Sequence, residues 1–504
     1  MDRRQLLQGS IALGAIVVAG GGFIETARAD SGLEVAHVFL PTRLDPGTDG
    51  ASAFNLVELG MAETLVRVDR TLATVPWLAE SLANIDPLTW EIRLRENGKF
   101  WDGSPVDAQA VVASLASTLA LQPDAANFID PATELAVVDP WTLRLTTPEP
   151  QGNMPNSLAS FQFIIRKSVE GGDPLMTAAY RPVRLVTGEV VELEAFADHW
   201  SGQPGFDRIT IQLISDANTR VLALQAGDVD LISQVPVQMF DMIAGDLALT
   251  SIANTRVHSV VFNFASEMMQ DSVLREAFAM AIDRDALNVI GLEGQGLVTT
   301  TPFPATFGVP SPIDGSVDIE RAKELLEGAG WVDAGRGVRE RDGVALALRL
   351  LSYPSRPELT SMAVSIQDQL GAIGFAVEVR EVEDITAALD NEAWDATMWS
   401  FNPLPTGDPL YVFNTALRTG GVFNRGAYSN AAIDAIADQL RLEADPSTRD
   451  ALTAEGVAIA VGDTAAVWLL SPPRGFAYRR AVMAEYAASP NDLYFIDETI
   501  QPAG

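Results

Sequence analysis

Short β-branched segments alternate with longer helical segments along the chain after residue 30, and this alternation constrains the fold more than any other feature. The pattern is typical of an α/β protein. The sequence predicts strands that include Leu33–Leu40, Trp90–Arg95, Thr142–Thr146, Arg208–Ile214, Ser259–Asn263, Ala345–Leu351 and Ala376–Val382. It predicts helices that include Ala108–Leu119, Asn218–Ala226, Ser272–Ala281, Ile319–Ala329, Glu358–Leu370 and Ala431–Leu442.

Three of these helices have clear boundary signals. Asp318 and Asn430 are placed to cap the helices that follow them, and Pro357 suits the first turn of the next helix. No repeat of 20–50 residues and no Gly/Ser-rich linker is visible. If the chain forms two lobes, ordered crossings must join them.

The first 29 residues have the three parts of a secretory signal. Arg3 and Arg4 give a basic start, Ile11–Ile24 is apolar, and Ala27–Ala29 is a small-x-small ending. The apolar run is shorter than the ~20 residues that span a bilayer as a helix. The arginine pair favours the twin-arginine route. We therefore expect export to the periplasm and a mature chain that begins at Asp30.

Composition excludes several classes of site and partner. The 504 residues contain no cysteine, so disulfides, thiolate metal sites and a lipid-carrying cysteine are excluded, and we expect no membrane anchor. The length predicts two or three domains. The formal charge of −33 disfavours nucleic acid and anionic lipid and attracts cationic ligands. Solubility in a salty or acid-rich habitat is the favoured explanation for most of this charge.

The sequence carries no catalytic signature. A Walker loop, a GxSxG elbow and an HExxH helix are all missing, and Gly294–Gly296 is a turn rather than a dinucleotide fingerprint. The three histidines, His37, His199 and His258, are isolated in sequence, which favours core or surface positions for each. We predict no cofactor, no metal site and no enzymatic activity.

Short motifs follow one another in a fixed order along nearly the whole chain. They are Leu44–Pro46, Glu63–Val66, Leu78–Ser81, Arg93–Arg95, Lys99–Pro105, Ala110–Leu115, His199–Gly202, Phe206–Ile209, Ile214–Arg220 and Ala223–Asp230, then Arg275–Ala277, Ala281–Arg284, Ala322–Leu326, Ala329–Gly330, Gln369–Leu370, Ile373–Gly374, Gly407–Pro409 and Tyr428–Asn430. In this order they resemble the solute-binding proteins of ABC importers, in the family that includes dipeptide-, oligopeptide- and nickel-binding proteins. One departure is Ala178–Arg184, which stands where the family has a Gly-Thr-Gly-Pro-Tyr-like turn.

This resemblance implies a two-lobe periplasmic-binding-protein fold of type II, which closes on a ligand cleft. Lobe I would comprise residues 30–257 and 471–504, with an extra subdomain, and lobe II residues 258–470. The Phe100–Pro105 motif would be a tight turn in the extra subdomain. A small peptide or similar polar solute would stabilise the closed form, which membrane permease subunits then recognise. The family is usually monomeric.

The resemblance also points to ligand-binding residues. Asp408, in a Gly-Asp-Pro turn, matches an acid that holds the amino terminus of a peptide in related proteins, and Trp399 can lie flat on a ligand. Arg356 stands where dipeptide-binding relatives carry a carboxylate-binding arginine. Arg418 and Arg425 are alternatives to Arg356, and Tyr428 lies in the same loop region.

Other functions remain open from the sequence. A nickel complex is an alternative solute, held by arginines and aromatic rings rather than by direct protein ligands. An exported α/β hydrolase or a redox enzyme is the alternative from another class, because the twin-arginine route exports folded proteins. A sensor or chaperone that passes no solute to a permease is a third hypothesis.

Overall fold

Two large β-sheets form the framework of the protein. The structure is a computed structural model and describes residues 31–47, 49–333, 335 and 337–504, so the predicted export signal lies outside the described residues. The strands are β1 (Gly32–His37), β2 (Val66–Val68), β3 (Thr74–Pro76), β4 (Ala79–Asp86), β5 (Thr89–Leu94), β6 (Glu134–Asp139), β7 (Thr142–Thr146), β8 (Tyr180–Val186), β9 (Val190–Ala195), β10 (Arg208–Leu213), β11 (Leu231–Val235), β12 (Leu247–Ala253), β13 (Val257–Phe262), β14 (Leu297–Val298), β15 (Val332–Asp333), β16 (Arg339–Arg341), β17 (Val344–Ala345), β18 (Ala347–Ser352), β19 (Ala376–Glu381), β20 (Ala396–Phe401), β21 (Ala466–Ser471) and β22 (Pro473–Arg479).

The helices lie between these strands, as expected for an α/β protein. They are α1 (Gly50–Glu58), α2 (Ala108–Leu121), α3 (Met154–Leu158), α4 (Ala217–Ala226), α5 (Glu267–Gln270), α6 (Ser272–Ala281), α7 (Arg284–Leu292), α8 (Ile319–Gly328), α9 (Pro357–Gly371), α10 (Ile385–Asn391), α11 (Leu410–Val412), α12 (Ala431–Leu442) and α13 (Pro446–Gly462). Short 3₁₀ helices include Pro123–Asn127 and Phe161–Phe163. In the described part of the chain, every helix is too short or too polar to cross a bilayer.

The predicted caps are confirmed. The Asp318 carboxylate accepts from the backbone N–H of Arg321, and the Asn430 side chain accepts from that of Ala432. Pro357 occupies the first turn of α9, where its missing N–H costs nothing. Each predicted helix is therefore present, with ends within about two residues of the prediction.

The first sheet has the strand order β12-β22-β11-β1-β10-β9-β8. β1 runs parallel to β10 and β11, and the other pairs are antiparallel. Its core includes Leu33, Ile211 and Phe476, and the segment after β22 packs on this core through side chains such as Phe495 and Ile496. We call the part of the molecule built on this sheet lobe I.

The second sheet has the strand order β14-β21-β13-β20-β18-β19, with β18 parallel to both of its neighbours. Helices α6 to α9 pack on it through apolar residues that include Phe278, Leu359 and Met362. We call this part lobe II. The chain crosses from lobe I to lobe II between Ala253 and Val257 and returns between Ser471 and Pro473.

Lobe I also contains a separate antiparallel sheet with the order β4-β5-β7-β6, against which α2 packs. The predicted turn at Phe100–Pro105 lies beside it and is confirmed. Lys99 pairs with Pro105, Gly103 has a φ of 81° that favours glycine, and Phe100 is fully buried. The Trp101 indole donates to the carbonyl of Ala178 at 3.0 Å.

Two predicted strands end differently in the structure. β1 stops at His37 rather than Leu40, because the His37 ring bonds to the Phe39 carbonyl at 2.8 Å and Pro41 has no N–H for a sheet ladder. The predicted strand Ala345–Leu351 is divided. Its first residue pairs with β16 as part of β17, and the chain then passes through buried Leu346 into β18.

Candidate functional site

The three histidines are core residues, as the sequence favours. Each is buried with one nitrogen facing a glutamate oxygen, and the three separations are 3.2 Å for His37–Glu58, 3.0 Å for His199–Glu63 and 3.3 Å for His258–Glu358. Burial lowers the pKa of His258 below its ordinary value. The described residues contain no cluster of three or more metal-ligating side chains.

Glu63 joins two of the sequence motifs, Glu63–Val66 and His199–Gly202, and Thr177 into one cluster. Its Oε1 accepts from the His199 ring at 3.0 Å and from the Trp200 indole at 2.9 Å, and its Oε2 accepts from the Thr177 hydroxyl at 2.7 Å. Both carboxylate oxygens therefore have partners. We call these four residues the Glu63 cluster, and its role is to hold lobe I together.

Three motif arginines are also structural. Arg220, Arg275 and Arg284 are buried and donate to backbone carbonyls, among them those of Ile214 and Trp468, each at 2.8 Å. Burial lowers the pKa of both Arg220 and Arg284 to about 10. These side chains hold loops against the sheets through hydrogen bonds, so they are structural residues and not candidates for solute contacts.

A cavity of about 570 Å³ lies between the two lobes. Its volume is within the ~300–1,000 Å³ typical of ligand pockets. We call it the interlobe cavity, and its aromatic lining comes from both sides. Lobe I contributes Phe39, Phe54, Phe128 and Phe161, and lobe II contributes Tyr411 and Phe423.

Aromatic contacts cross this cavity from one lobe to the other. Phe128 of lobe I stacks on Tyr411 of lobe II with ring centroids 6.1 Å apart, and Tyr411 stacks on Phe401 at 5.8 Å. Burial, and then the charge of Asp124, raise the pKa of Tyr411 above its ordinary value. The phenol therefore adds no negative charge to the cavity.

Polar groups in the lining include Asp124, Asn127 and Gln162 from lobe I, with Asn55 from α1 and Thr415 from lobe II. Asn55 is only 7% exposed, whereas Asp124 is exposed at the cavity. A mostly aromatic wall with a few polar groups is the usual design of a small-solute pocket.

Asp408 lies beside the interlobe cavity in a contact between the lobes. It is 2% exposed and accepts from Asn153 of lobe I at 2.9 Å, from the Leu410 backbone at 2.9 Å, and from Arg449 in an ion pair. Its charge is balanced inside the protein. The predicted contact between Asp408 and a ligand stays a prediction.

The backbones of the two lobes also touch near Asp408. The Gly152 N–H of lobe I donates to the Arg441 carbonyl at 3.0 Å. A Cβ on Gly152 would lie 2.0 Å from the Glu443 carbonyl oxygen, and one on Gly407 would lie 2.3 Å from that of Leu72. Only glycine fits at these two close approaches.

Trp399, Arg425 and Tyr428 are brought together around a second cavity of about 60 Å³ within lobe II. We call it the lobe II cavity. The Tyr428 hydroxyl donates to Asp463 at 2.6 Å, and burial together with Asp463 raises the pKa of Tyr428. Phe423 lines both this cavity and the interlobe cavity, so it forms a shared wall.

Arg356 and Arg418 line neither cavity. Arg356 lies 3.9 Å from Glu358, and burial, followed by repulsion from Arg256, lowers its pKa. Arg418 forms an ion pair with Asp438 at 2.8 Å. The structure therefore groups three of the six predicted site residues and separates Asp408, Arg356 and Arg418 from them.

Sequence reasoning missed the aromatic lining and Asp124. Tyr411 had a usable signal, because it lies only three residues after Asp408, a predicted site residue. The phenylalanines had none, because 21 of them occur in the chain and most serve the core.

Two lobes with separate sheets, joined by two crossings and enclosing a cavity, define a solute-binding protein that works by hinged closure. The chain belongs to the bacterial extracellular solute-binding proteins of family 5, whose family model, described as "Bacterial extracellular solute-binding proteins, family 5 Middle", matches residues 73–424. Members of this family are substrate-binding components of ABC importers, are extracellular or periplasmic, and are not enzymes.

Individual relatives are similar to this chain over most of their length. The nickel-binding protein NikA of Staphylococcus aureus is 28% identical over 454 residues, which is 88% of this chain and 89% of that protein. The oligopeptide-binding protein AppA of Bacillus subtilis is 25% identical over 423 residues, 77% of this chain and 76% of that protein. The crystal structure of S. aureus NikA in complex with Ni(L-His)2 has a TM-score of 0.81 at 24% identity, covering 94% of this chain and 100% of that chain.

Proposed function

We propose that this protein captures a small peptide or similar polar solute in the interlobe cavity and delivers it to the permease of an ABC importer. The observation that carries this proposal is the cavity itself. It has walls from both lobes, a volume of about 570 Å³ and a mixture of aromatic and amide side chains. Such a lining suits a solute with both polar and apolar parts.

Closure couples solute binding to recognition by the permease. A solute that contacts Phe128 in lobe I and Tyr411 in lobe II binds the closed arrangement more tightly than the open one. This difference in affinity sets how far the solute shifts the protein toward closure. The hydrogen bond from Asn153 to Asp408 adds to the same contact. The outer faces of the two lobes then take the relative position that the permease binds.

The six predicted site residues have unequal support as solute contacts. Trp399, Arg425 and Tyr428 are favoured by their position behind Phe423, the wall of the interlobe cavity. Asp408 can bind the amino group of a solute only if that group replaces Asn153 or Arg449. We rank Arg356 and Arg418 below these residues, because neither lines a described cavity.

A nickel complex is the second candidate solute, favoured by the similarity to the S. aureus nickel-binding protein. Histidine or another small molecule would have to supply the metal ligands, since the described residues offer no cluster that could do so. The aromatic rings would then hold the organic part of the complex.

We further propose that the protein works as a monomer in the periplasm after export by the twin-arginine route. The arginine pair and the short apolar run before Asp30 support this location. Amino-terminal sequencing of the exported protein is expected to begin at Asp30. A start elsewhere contradicts the predicted cleavage before Asp30, and export that survives replacement of both arginines by lysine contradicts the route.

Native mass spectrometry of the mature protein, purified without added solute and measured again after denaturation, tests the main proposal. Peptide-sized adducts of several masses are the expected result. An adduct that contains nickel supports the second candidate instead. If no adduct is found and no peptide in a thermal-shift library stabilises the protein, peptide capture is wrong.

A further inference from the structure

Charge is unevenly distributed around the interlobe cavity. Of the described residues that line it, Asp124 is the one with a formally charged side chain. Asp124 lies in the 3₁₀ helix Pro123–Asn127, is exposed, and forms no ion pair with another described residue. Its negative charge is therefore available to a solute, and the charge acts strongly once the closed lobes exclude water.

The arginine whose charge acts on Tyr411 is already engaged. The charge of Arg256 acts on Tyr411, but its guanidinium is bound to Asp492 at 2.6 Å and also contacts the Ser400 carbonyl at 3.4 Å. Arg256 does not line the cavity. The described lining contains no lysine, arginine or histidine, so an anionic solute would meet Asp124 without a cation in the cavity wall to offset the repulsion.

The aromatic walls also favour a cationic solute. Six rings line the cavity, and Phe39 among them is 58% exposed. The face of an aromatic ring carries partial negative charge and attracts ammonium and guanidinium groups. The rings also cover apolar surface, so they suit a cation on an apolar or aromatic body.

Asn55 adds an acceptor to the same wall. It is 7% exposed, it lines the cavity, and its side-chain amide forms no hydrogen bond with the described residues, although its polar atoms are open to the cavity rather than sealed from it. A solute N–H can therefore donate to its oxygen in place of water. Ammonium and guanidinium groups are rich in such donors.

We propose that the interlobe cavity selects cationic solutes, with an ammonium or guanidinium group opposite Asp124 and an apolar or aromatic body against the rings. This inference rests on the proposed function and narrows it. Among peptides, those with lysine, arginine or another cationic group bind best, and acidic peptides bind worst.

Three dipeptides that differ in one side chain test the inference: Lys-Phe, Nε-acetyl-Lys-Phe and Glu-Phe, each with its α-amino group acetylated and its carboxyl group amidated so that the side chain carries the only charge. Isothermal titration calorimetry on the mature protein is expected to give Lys-Phe an affinity at least about tenfold above Nε-acetyl-Lys-Phe. Glu-Phe is expected to bind more weakly than both. The advantage of Lys-Phe should shrink as salt rises, because salt screens partly exposed charges.

The variant Asp124→Asn keeps the shape of the side chain and removes its charge. It is expected to abolish most of the preference for Lys-Phe while leaving the affinity for Nε-acetyl-Lys-Phe unchanged. Asp450→Asn is the matched control, since Asp450 is exposed on α13, lies outside the cavity lining and changes the net charge equally. The control should retain the preference.

Two results would overturn the inference and leave peptide capture intact: equal or tighter binding of the neutral or acidic dipeptide, or a full preference for Lys-Phe in Asp124→Asn. If none of the three binds, a thermal-shift screen of cationic, neutral and anionic solutes of matched size decides. Stabilisation led by neutral or anionic solutes overturns the inference alone. Stabilisation by no solute at all overturns the proposed function with it.

Discussion

The Glu63 cluster lies within lobe I and the interlobe cavity lies between the lobes, and the two differ in how far the protein satisfies its own polar groups. Glu63 is fully buried, and its two oxygens accept from His199, Trp200 and Thr177. In the interlobe cavity, Asp124 has no ion-pair partner and the Asn55 amide has no hydrogen bond among the described residues.

This difference separates scaffold from site. A cluster whose hydrogen bonds are complete has nothing left to offer a solute, whereas groups without partners reserve their interactions for one. Motif residues such as Glu63 and His199 belong to the first kind. The comparison predicts that changes in the cluster act on stability and changes in the cavity act on affinity.

The largest effect is expected for Glu63→Ala. This change leaves the His199 ring, the Trp200 indole and the Thr177 hydroxyl without an acceptor in a buried site, which should lower the free energy of unfolding by about 3–5 kcal/mol. Urea denaturation followed by tryptophan fluorescence measures it. Glu63→Gln, which retains one acceptor oxygen, should lose less, about 1–2 kcal/mol.

Asn55→Ala is the variant of the interlobe cavity to compare with Glu63→Ala. Because its amide has no partner to lose, the free energy of unfolding should change by under about 1 kcal/mol, while solute affinity falls. A loss of stability in Asn55→Ala as large as that in Glu63→Ala would break the distinction between scaffold and site.

Asn153→Ala tests the contact between the lobes. It removes the hydrogen bond to Asp408 but leaves the Arg449 ion pair, so the buried carboxylate keeps its counter-charge. A hydrogen bond to a charged group contributes about 1.5–3 kcal/mol, so the apparent affinity for the solute should fall roughly 10- to 150-fold. Small-angle scattering should show a larger open fraction, and an unchanged affinity would show that this contact does not support closure.

Glu498 tests whether a buried carboxyl group whose charge is only partly neutralised by its neighbours makes the stability of the scaffold depend on pH. Burial and the neighbouring Asp497 raise the pKa of Glu498 to about 6, although Arg67 lies 2.8 Å away. The folded state therefore holds this proton more tightly than the unfolded state. Its stabilising effect is present below pH 4.5 and is lost as the pH rises through 6.

Glu498→Gln mimics the protonated side chain and isolates this effect. Relative to the native protein, the variant should be more stable at pH 7 than at pH 4.5 by about 1–2 kcal/mol. Denaturant titrations at both pH values measure the difference. A difference of the opposite sign would show that Arg67 outweighs burial.

The smallest change in solute affinity is expected for Tyr411→Ala. It removes a ring that stacks on Phe128 across the lobes, and such pairs contribute about 0.5–1.5 kcal/mol beyond the area they bury. Solute affinity measured by calorimetry should fall about threefold to tenfold. Tyr411→Phe keeps the ring and should bind nearly as well; an equal loss in both variants would assign the effect to the hydroxyl instead.

The fold was largely predictable because its determinants are local. Caps such as Asp318, the proline of α9 and the strand–helix alternation act over a few residues, and the structure confirms them. The ordered motifs identified the family. Motif residues such as Glu63 and Arg220 form hydrogen bonds that hold the fold together, so they mark the fold in the sequence.

The site was harder to predict because it is assembled from distant segments. Phe39, Asp124 and Phe423 meet only after the two lobes have folded and come together. Nothing local in the sequence distinguishes Asp124 from the other acids of this chain, or Phe39 from a core phenylalanine. Asp408 was recognisable as a special position, but its neighbours Asn153 and Arg449 lie far away in the chain.

Gly152 and Gly407 have a consequence for engineering this protein. Each lets the backbone of one lobe lie directly against the other, and one added methyl group would collide with a carbonyl oxygen across the gap. Alanine at either position therefore acts as a spacer between two otherwise intact lobes. A single carbon atom would set how far the hinge can travel, and variants at these glycines would form a graded series of partly closed receptors.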